Sequence, residues 1–196
     1  MSEDAQVNQV RAFLYHLFRS FFVSEPDEKL YASWQKILSS LPSVEFDPFD
    51  RALERLREVL ARSSPQEIGE EFYRLFLDPF SEERVTLEAS AYLDGKPFGP
   101  TLVRLREFLK RTGLHKKEQV KEPEDHLVLL LDFMETLVRD GKDLISQREL
   151  FYNYLRPCAL GVTKKIRQSE EGFYQALAEF LEAFLTLEER FFTEEV

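Results

Sequence analysis

Four ionisable residues, Glu122, Glu124, Asp125 and His126, crowd around Pro123 in this 196-residue chain, and they bound the chemistry it could perform. An adjacent carboxylate and imidazole can share a proton, so Asp125 and His126 could form the acid–base pair of a hydrolase acting on a nucleotide. Glu122 and His126 stand one helical turn apart, a spacing that also suits two metal ligands. Neither reading gains a third member. No His-x-x-x-His or Glu-x-x-His pair occurs, and no metal site is expected. Gly-x-Ser-x-Gly is absent, and Gly95-Lys96 and Gly141-Lys142 lack both the following hydroxyl residue and the upstream glycine of a phosphate-cradling loop. Cys158 has no sequence neighbour that would activate it. A triad assembled from distant residues stays open, but the motifs point to no catalytic residue, no cofactor and no enzyme.

The elements that position these residues read as helices. Pro123 suits a first helical position, and Glu124 and Asp125 favour the positive end of a helix dipole, so a helix is predicted to open at Pro123. On that helix His126 shares a face with Leu130, Phe133, Met134 and Leu137, which turns it toward the core or a groove, whereas Asp125 aligns with Leu129 and Asp132. Helix initiation by itself accounts for the acids. His126 then reads first as a partly buried histidine paired with a carboxylate, and second as a binding residue.

Apolar residues recur at helical spacing almost throughout. Val7, Val10, Leu14, Leu17 and Phe21 predict a buried stripe on an opening helix closed off by Pro26. Leu30, Trp34, Ile37, Leu38 and Leu41 make a second helix ending near Pro42, and Leu53, Leu56, Val59 and Leu60 a third. Ser64 is a plausible N-cap before Pro65 for a fourth, with Ile68, Phe72, Leu75 and Phe76 as its stripe. Between Asp78 and Pro100 the pattern fails, save for a short helix within Val85 to Tyr92. A loop of that length is the wall of a site or a hinge. Leu102, Leu105 and Leu109 lead to Gly113 as a C′ residue. Ser146-x-x-Glu149 has capping-box spacing, and its helix must kink or break at Pro157. Phe173, Leu177, Phe180, Leu181, Phe184 and Leu187 mark a last helix. The expectation is an all-α protein: one globular helical bundle of about seven to nine helices over residues 1–196, with a hinge near 78–100 as an option.

A chain of this length buries roughly 70% of its unfolded surface. A single cysteine excludes an intramolecular disulfide and fits a reducing compartment. The formal net charge of -10 argues against nucleic acid as the main partner and suits a cationic one, or serves solubility alone. The apolar run Leu127 to Leu131 is far short of the ~18 residues of a membrane span. Met1-Ser2-Glu3-Asp4 shows no basic leader segment. A soluble, cytoplasmic protein is expected.

Glu122-Pro123-Glu124-Asp125-His126-Leu127, followed by Leu131, Phe133 and Met134, resembles the signature of the TorD/DmsD/NarJ-type chaperones, which mature molybdenum-containing redox enzymes. Phe72-Tyr73-Arg74-Leu75-Phe76 with Pro79 looks like the family's aromatic run before its long loop. Ala89-Ser90-Ala91-Tyr92-Leu93 is similar to its Ser-x-Tyr run. Leu105 to Leu114, with Phe108 and Gly113, resembles the helix leading into the acidic segment, and Phe173-Tyr174 the closing element. The resemblance covers most of Phe72 to Leu187; the first seventy residues match only in being helical. Leu155-Arg156-Pro157-Cys158 departs from it, because the family commonly has a tryptophan near that proline. No role of that tryptophan transfers, and the subfamily stays open.

The resemblance implies a non-catalytic chaperone that binds the twin-arginine leader, or a terminal segment, of a molybdopterin-containing reductase until its cofactor is inserted. By position it implicates Phe72, Leu75, Phe76, Asp125 and His126 as leader contacts, with Glu122 and Pro123 shaping the turn. Burying one Leu or Phe contributes about 1.5–3 kcal/mol and an exposed Arg–carboxylate pair about 0–1, so the leader's apolar part should dominate affinity. Asp125 and nearby acids would orient the arginines. On the residues alone, Phe72, Leu75 and Phe76 read as core packing. A nucleotide hydrolase using Asp125 and His126, and a constitutive helical adaptor, are the alternatives. Homodimer formation, loop swapping and guanine-nucleotide binding are left open.

Overall fold

Helical periodicity is realised along most of the described chain. The computed structural model describes residues 3–194; Met1 and Ser2 of the acidic N-terminal segment lie outside them. Nine helical runs and no named strand occur among the described residues, so the protein is all-α. The chain gathers into two compact units, one from residues 1–23 and 86–161, the other from 24–85 and 162–196. Among the described residues no helix is long and apolar enough to cross a membrane.

In the first unit α1 (Glu3–Phe22) packs along α7 (Leu127–Arg139). The buried stripe of α1 holds Leu14, Leu17 and Phe21 as expected, with Tyr15, Phe18 and Phe22. Val7 and Val10, however, are 38% and 53% exposed. Arg11 takes the interior position in their place, where it donates to Gln147 at 3.0 Å. A buried cation with its own acceptor thus turns the first half of the stripe away from the valines. α7 buries eight of its residues, Leu127 to Val138, on nearly every side, as a helix inside a core does.

α5 (Ala89–Leu93) is later and shorter than the helix expected within Val85 to Tyr92. α6 (Pro100–Thr112) ends as predicted at Gly113, whose φ of 76° is left-handed and therefore suits a residue without Cβ. α8 (Leu144–Leu150) starts earlier than Ser146: Asp143 is its N-cap and accepts from the Ser146 amide at 2.8 Å. Pro157 does not break the run. A π turn, Phe151–Leu155, joins α8 to α9 (Arg156–Ile166). Its wider winding falls on Asn153, the residue whose carbonyl a proline ring would otherwise strike.

In the second unit α2 (Glu28–Ser40) is capped by Asp27, which accepts from the Leu30 amide at 2.7 Å. α3 (Asp47–Arg62) packs along α10 (Phe173–Glu194). Ser64 and Glu67 close a complete capping box on α4 (Pro65–Phe72), as Ser64 and Pro65 predicted. A second π turn, Tyr73–Leu77, extends α4. Trp34 stacks on Phe173 with centroids 5.7 Å apart and planes 10° from parallel, and Phe49 meets Phe180 at 4.8 Å.

Candidate functional site at the start of helix α7

The acidic segment is not a helix start. Leu127 donates to the Leu87 carbonyl at 2.7 Å and Ala89 donates to the Asp125 carbonyl at 2.9 Å, an antiparallel bridge that pairs Glu88 with His126. Pro123 to His126 forms a turn, closed by the His126 amide on the Pro123 carbonyl at 3.0 Å. α7 therefore begins at Leu127, four residues later than Pro123 suggests, and His126 is its N-cap with extended ψ of 136°. Backbone groups already paired with residues 87–89 cannot also enter a helical ladder, so the long-range bridge overrides the local helix signal.

This changes the place of each acid. Asp125 is fully buried, and its Oδ2 accepts from the Ser90 amide at 2.9 Å, inside the first turn of α5. Asp125 Oδ1 and Ser90 Oγ are both buried without a hydrogen-bond partner. Glu124 is held by Arg106, whose Nε and Nη2 lie 3.0 and 2.8 Å from one carboxylate oxygen. Glu122 is exposed, and its carbonyl accepts from Lys116 at 2.6 Å. Pro123 is half-buried in the turn.

His126 is half-buried, and its Nδ1 accepts from the Val128 amide at 3.3 Å. Burial lowers its pKa, against the raising influence of Glu88, Glu122 and Asp125. The imidazole is thus neutral at pH 7, and the Val128 bond assigns its hydrogen to Nε2. Among the described residues no hydrogen bond joins Asp125 to His126; each is committed to a different backbone amide. That geometry gives no proton-sharing pair for hydrolysis. Cys158, fully buried against the Leu87 carbonyl, has its thiol pushed up by burial and then by Asp125 and Glu88, which disfavours the thiolate. Among the described residues no group of three or more His, Cys, Asp or Glu could hold a metal ion.

Beside His126 a cavity of about 340 Å³ opens between the end of α1 and the start of α7. Phe22, Val23, Val120 and Val128 contribute its apolar walls, and Lys117, Gln119 and Glu122 its polar ones. Arg19 and Asp132 also line it and pair with each other at 2.7 Å. Neither Lys117 nor Val128 is singled out by any local signal in the sequence; only the fold brings them to His126.

Phe72, Leu75 and Phe76 belong to the second unit and are 4%, 0% and 7% exposed. The Phe72 and Phe76 rings lie 5.1 Å apart and 6.1 and 5.2 Å from Tyr174. In this conformation they are core, and a ligand would reach them only if the packing against Tyr174 opened.

Burial of Asp125 makes a discriminating prediction. Asp125→Ala leaves the Ser90 amide unpaired and should lower stability by about 1–3 kcal/mol. Asp125→Asn keeps an acceptor and removes a buried charge, and should cost less than about 1 kcal/mol. Urea denaturation of both variants, followed by far-UV circular dichroism, checks this; equal losses would show that the Ser90 bond is not what Asp125 supplies.

Residues 46–186 match the family described as nitrate reductase delta subunit. The chain is 26% identical to the chaperone protein TorD of Vibrio parahaemolyticus, with 96% of this chain and 97% of the relative covered. It is 32% identical to a protein of Haemophilus influenzae described as a Tat proofreading chaperone, DmsD, over 63% of this chain and 61% of the relative. A crystal structure of an Archaeoglobus fulgidus protein described as a redox enzyme maturation protein shares the fold, with TM-score 0.58, 22% identity, and 90% and 93% of the two chains covered. The match runs from the start of α3 into α10 and takes in the bridge, the turn and His126, so the chain belongs to the nitrate reductase delta subunit family, of the TorD/DmsD/NarJ type.

Proposed function

We propose that this protein is a cytoplasmic maturation chaperone for a molybdopterin-containing oxidoreductase. It binds the enzyme's twin-arginine leader, or its apo form, and holds it until cofactor insertion is complete, without catalysing a reaction itself. The family match over residues 46–186, reinforced by TorD-named relatives aligned over nearly their whole length, carries the reading. The cavity beside His126 supports it with a concave site of ligand-binding size that presents both apolar and charged walls.

Within this reading the accessible residues Glu122 and His126 meet the client, and Pro123 shapes the turn that presents them. Asp125 acts from below the surface, fastening the bridge that makes His126 an N-cap. Phe72, Leu75 and Phe76 contribute by holding the second unit's core, and contact a client only in an opened state. A micromolar complex requires about 8 kcal/mol, within reach of several buried apolar side chains after the entropic cost of association.

Isothermal titration with twin-arginine leader peptides from the same genome, paired with capture of apo- and holo-reductase on the immobilised protein, tests the proposal. Micromolar leader binding and preference for the apo form are expected. Capture of neither leader nor apo-reductase would sink the chaperone reading, and equal retention of the holoenzyme would point to a constitutive adaptor.

A further inference from the structure

We infer that Thr86 to Ala89 form a strap over the start of α7, which opens locally while the rest of the first unit stays folded, and that the buried charge of Asp125 is what makes it easy to open. The device belongs to the fold of that unit. It goes beyond the chaperone reading and stands or falls separately from it.

Few bonds hold the strap. The pairing of Glu88 with His126 is an isolated bridge, made of the Leu127–Leu87 and Ala89–Asp125 backbone bonds, with no ladder on either side of it. Two such bonds lack the support that neighbouring rungs give one another in a sheet. Beyond them, the Tyr92 hydroxyl donates to the Thr86 carbonyl at 2.6 Å, the Cys158 thiol donates to the Leu87 carbonyl at 3.5 Å, and the Leu87 side chain is buried. The Thr86 hydroxyl donates to the Glu88 carboxylate, so that bond travels with the strap.

Against these bonds stands a buried charge. Asp125 is fully buried, and among the described residues no cation pairs with it. The Ser90 amide donates to its Oδ2, whereas Oδ1 and the Ser90 hydroxyl have no partner. Burying a carboxylate that lacks a cation is unfavourable, and a single hydrogen bond offsets only part of that. Opening returns the carboxylate and the Ser90 amide to water together, which relieves the charge and leaves neither group stranded. An asparagine would accept from the same amide without the charge, and would offer the Ser90 hydroxyl a donor. Aspartate therefore fastens the strap more weakly than its uncharged isostere would.

Opening uncovers Cys158. Its thiol lies against the Leu87 carbonyl and is fully buried, and burial holds its pKa up, so the closed strap keeps it unreactive. As the single cysteine of the chain it reports on the strap directly. The same step brings the Asp125 carboxylate to solvent beside His126, so the charge presented at the start of α7 changes with the position of the strap.

Labelling of Cys158 in the whole protein by dithiobis(nitrobenzoate), over urea concentrations below the unfolding midpoint, tests this. With local opening the rate should be nearly independent of urea at first and rise only near the midpoint, where global unfolding, followed by far-UV circular dichroism, takes over. In the urea-independent range Asp125→Asn should slow labelling about tenfold, and Tyr92→Phe, which deletes the bond to Thr86, should speed it about fivefold. Opposite responses from two near-isosteric variants separate the strap from a general loss of stability. A rate that tracks global unfolding at every urea concentration, labelling of Asp125→Asn as fast as the native chain or faster, or no acceleration in Tyr92→Phe would overturn the inference.

Discussion

Phe72→Ala should lower the stability of the second unit by about 3–5 kcal/mol, the range for deleting a buried aromatic side chain and leaving a cavity. Phe72 is 4% exposed, and its ring sits within reach of both Phe76 and Tyr174, so no neighbour can collapse into the space without abandoning another contact. The chain carries its own reporter for this measurement. Trp34 is its only tryptophan, lies in the second unit, is 1% exposed and stacks on Phe173, next to Tyr174. Urea titration followed by Trp34 fluorescence should show the midpoint falling steeply in Phe72→Ala and less in Phe72→Leu, which retains most of the volume. A loss below about 1 kcal/mol, the range of surface substitutions, accompanied by weakened leader binding, would assign Phe72 to the client surface and not to the core.

Glu71→Ala should cost about 2–4 kcal/mol, because it strips two buried backbone donors of a charged acceptor at once. Glu71 is 8% exposed, and its two carboxylate oxygens accept from the Phe173 and Tyr174 amides at 2.9 and 3.0 Å. These are the first amides of α10, which have no partner within the helix, and a carboxylate there also meets the positive end of the dipole. The approach is so close that a Cβ on Gly172 would lie 2.6 Å from Glu71 Oε2, so any larger residue there would have to displace the carboxylate.

Burial nevertheless raises the Glu71 pKa from 4.5, and the two amides and Arg74 only partly offset it. A carboxyl whose folded pKa exceeds its unfolded value binds its proton more tightly when folded. Stability therefore falls as pH rises from about 4.5 to the raised value and is flat above it. Glu71→Gln should cost less than Glu71→Ala, since one acceptor survives, and should remove this pH slope. Trp34 fluorescence reads both effects through Phe173, and a slope that persists in Glu71→Gln would place its origin elsewhere.

Much of the fold was legible because helix signals act within four residues. Ser64, Pro65 and Glu67 fall together as cap, first position and box partner, and they do cap α4. Gly113 ends α6 because a left-handed residue is needed there and no other local choice is as free of strain. The same locality misled at Pro123. Its proline and acids are those of a helix N-terminus, yet the helix waits until Leu127. Ser146 was likewise displaced as N-cap by Asp143, three residues earlier, whose carboxylate accepts from the Ser146 amide and so starts the helix before it. Pro157 was absorbed by a π turn, a register change that a rule about missing N–H groups does not anticipate.

Alone, the sequence determined that this protein is all-α, where most of its helices begin and end, and which family it resembles, since periodicity, caps and motif order are written in adjacent residues. Tertiary structure alone decided that Asp125 is a buried fastener for Ser90, that His126 is an N-cap with a free Nε2–H, and that Lys117 and Val128 share its cavity. The reason is the bridge between residues 87–89 and 125–127, which joins segments some three dozen positions apart. No local propensity encodes a hydrogen bond across that separation; it exists only in the folded chain, where α7 packs against α1 and residues 87–89 lie beside its start.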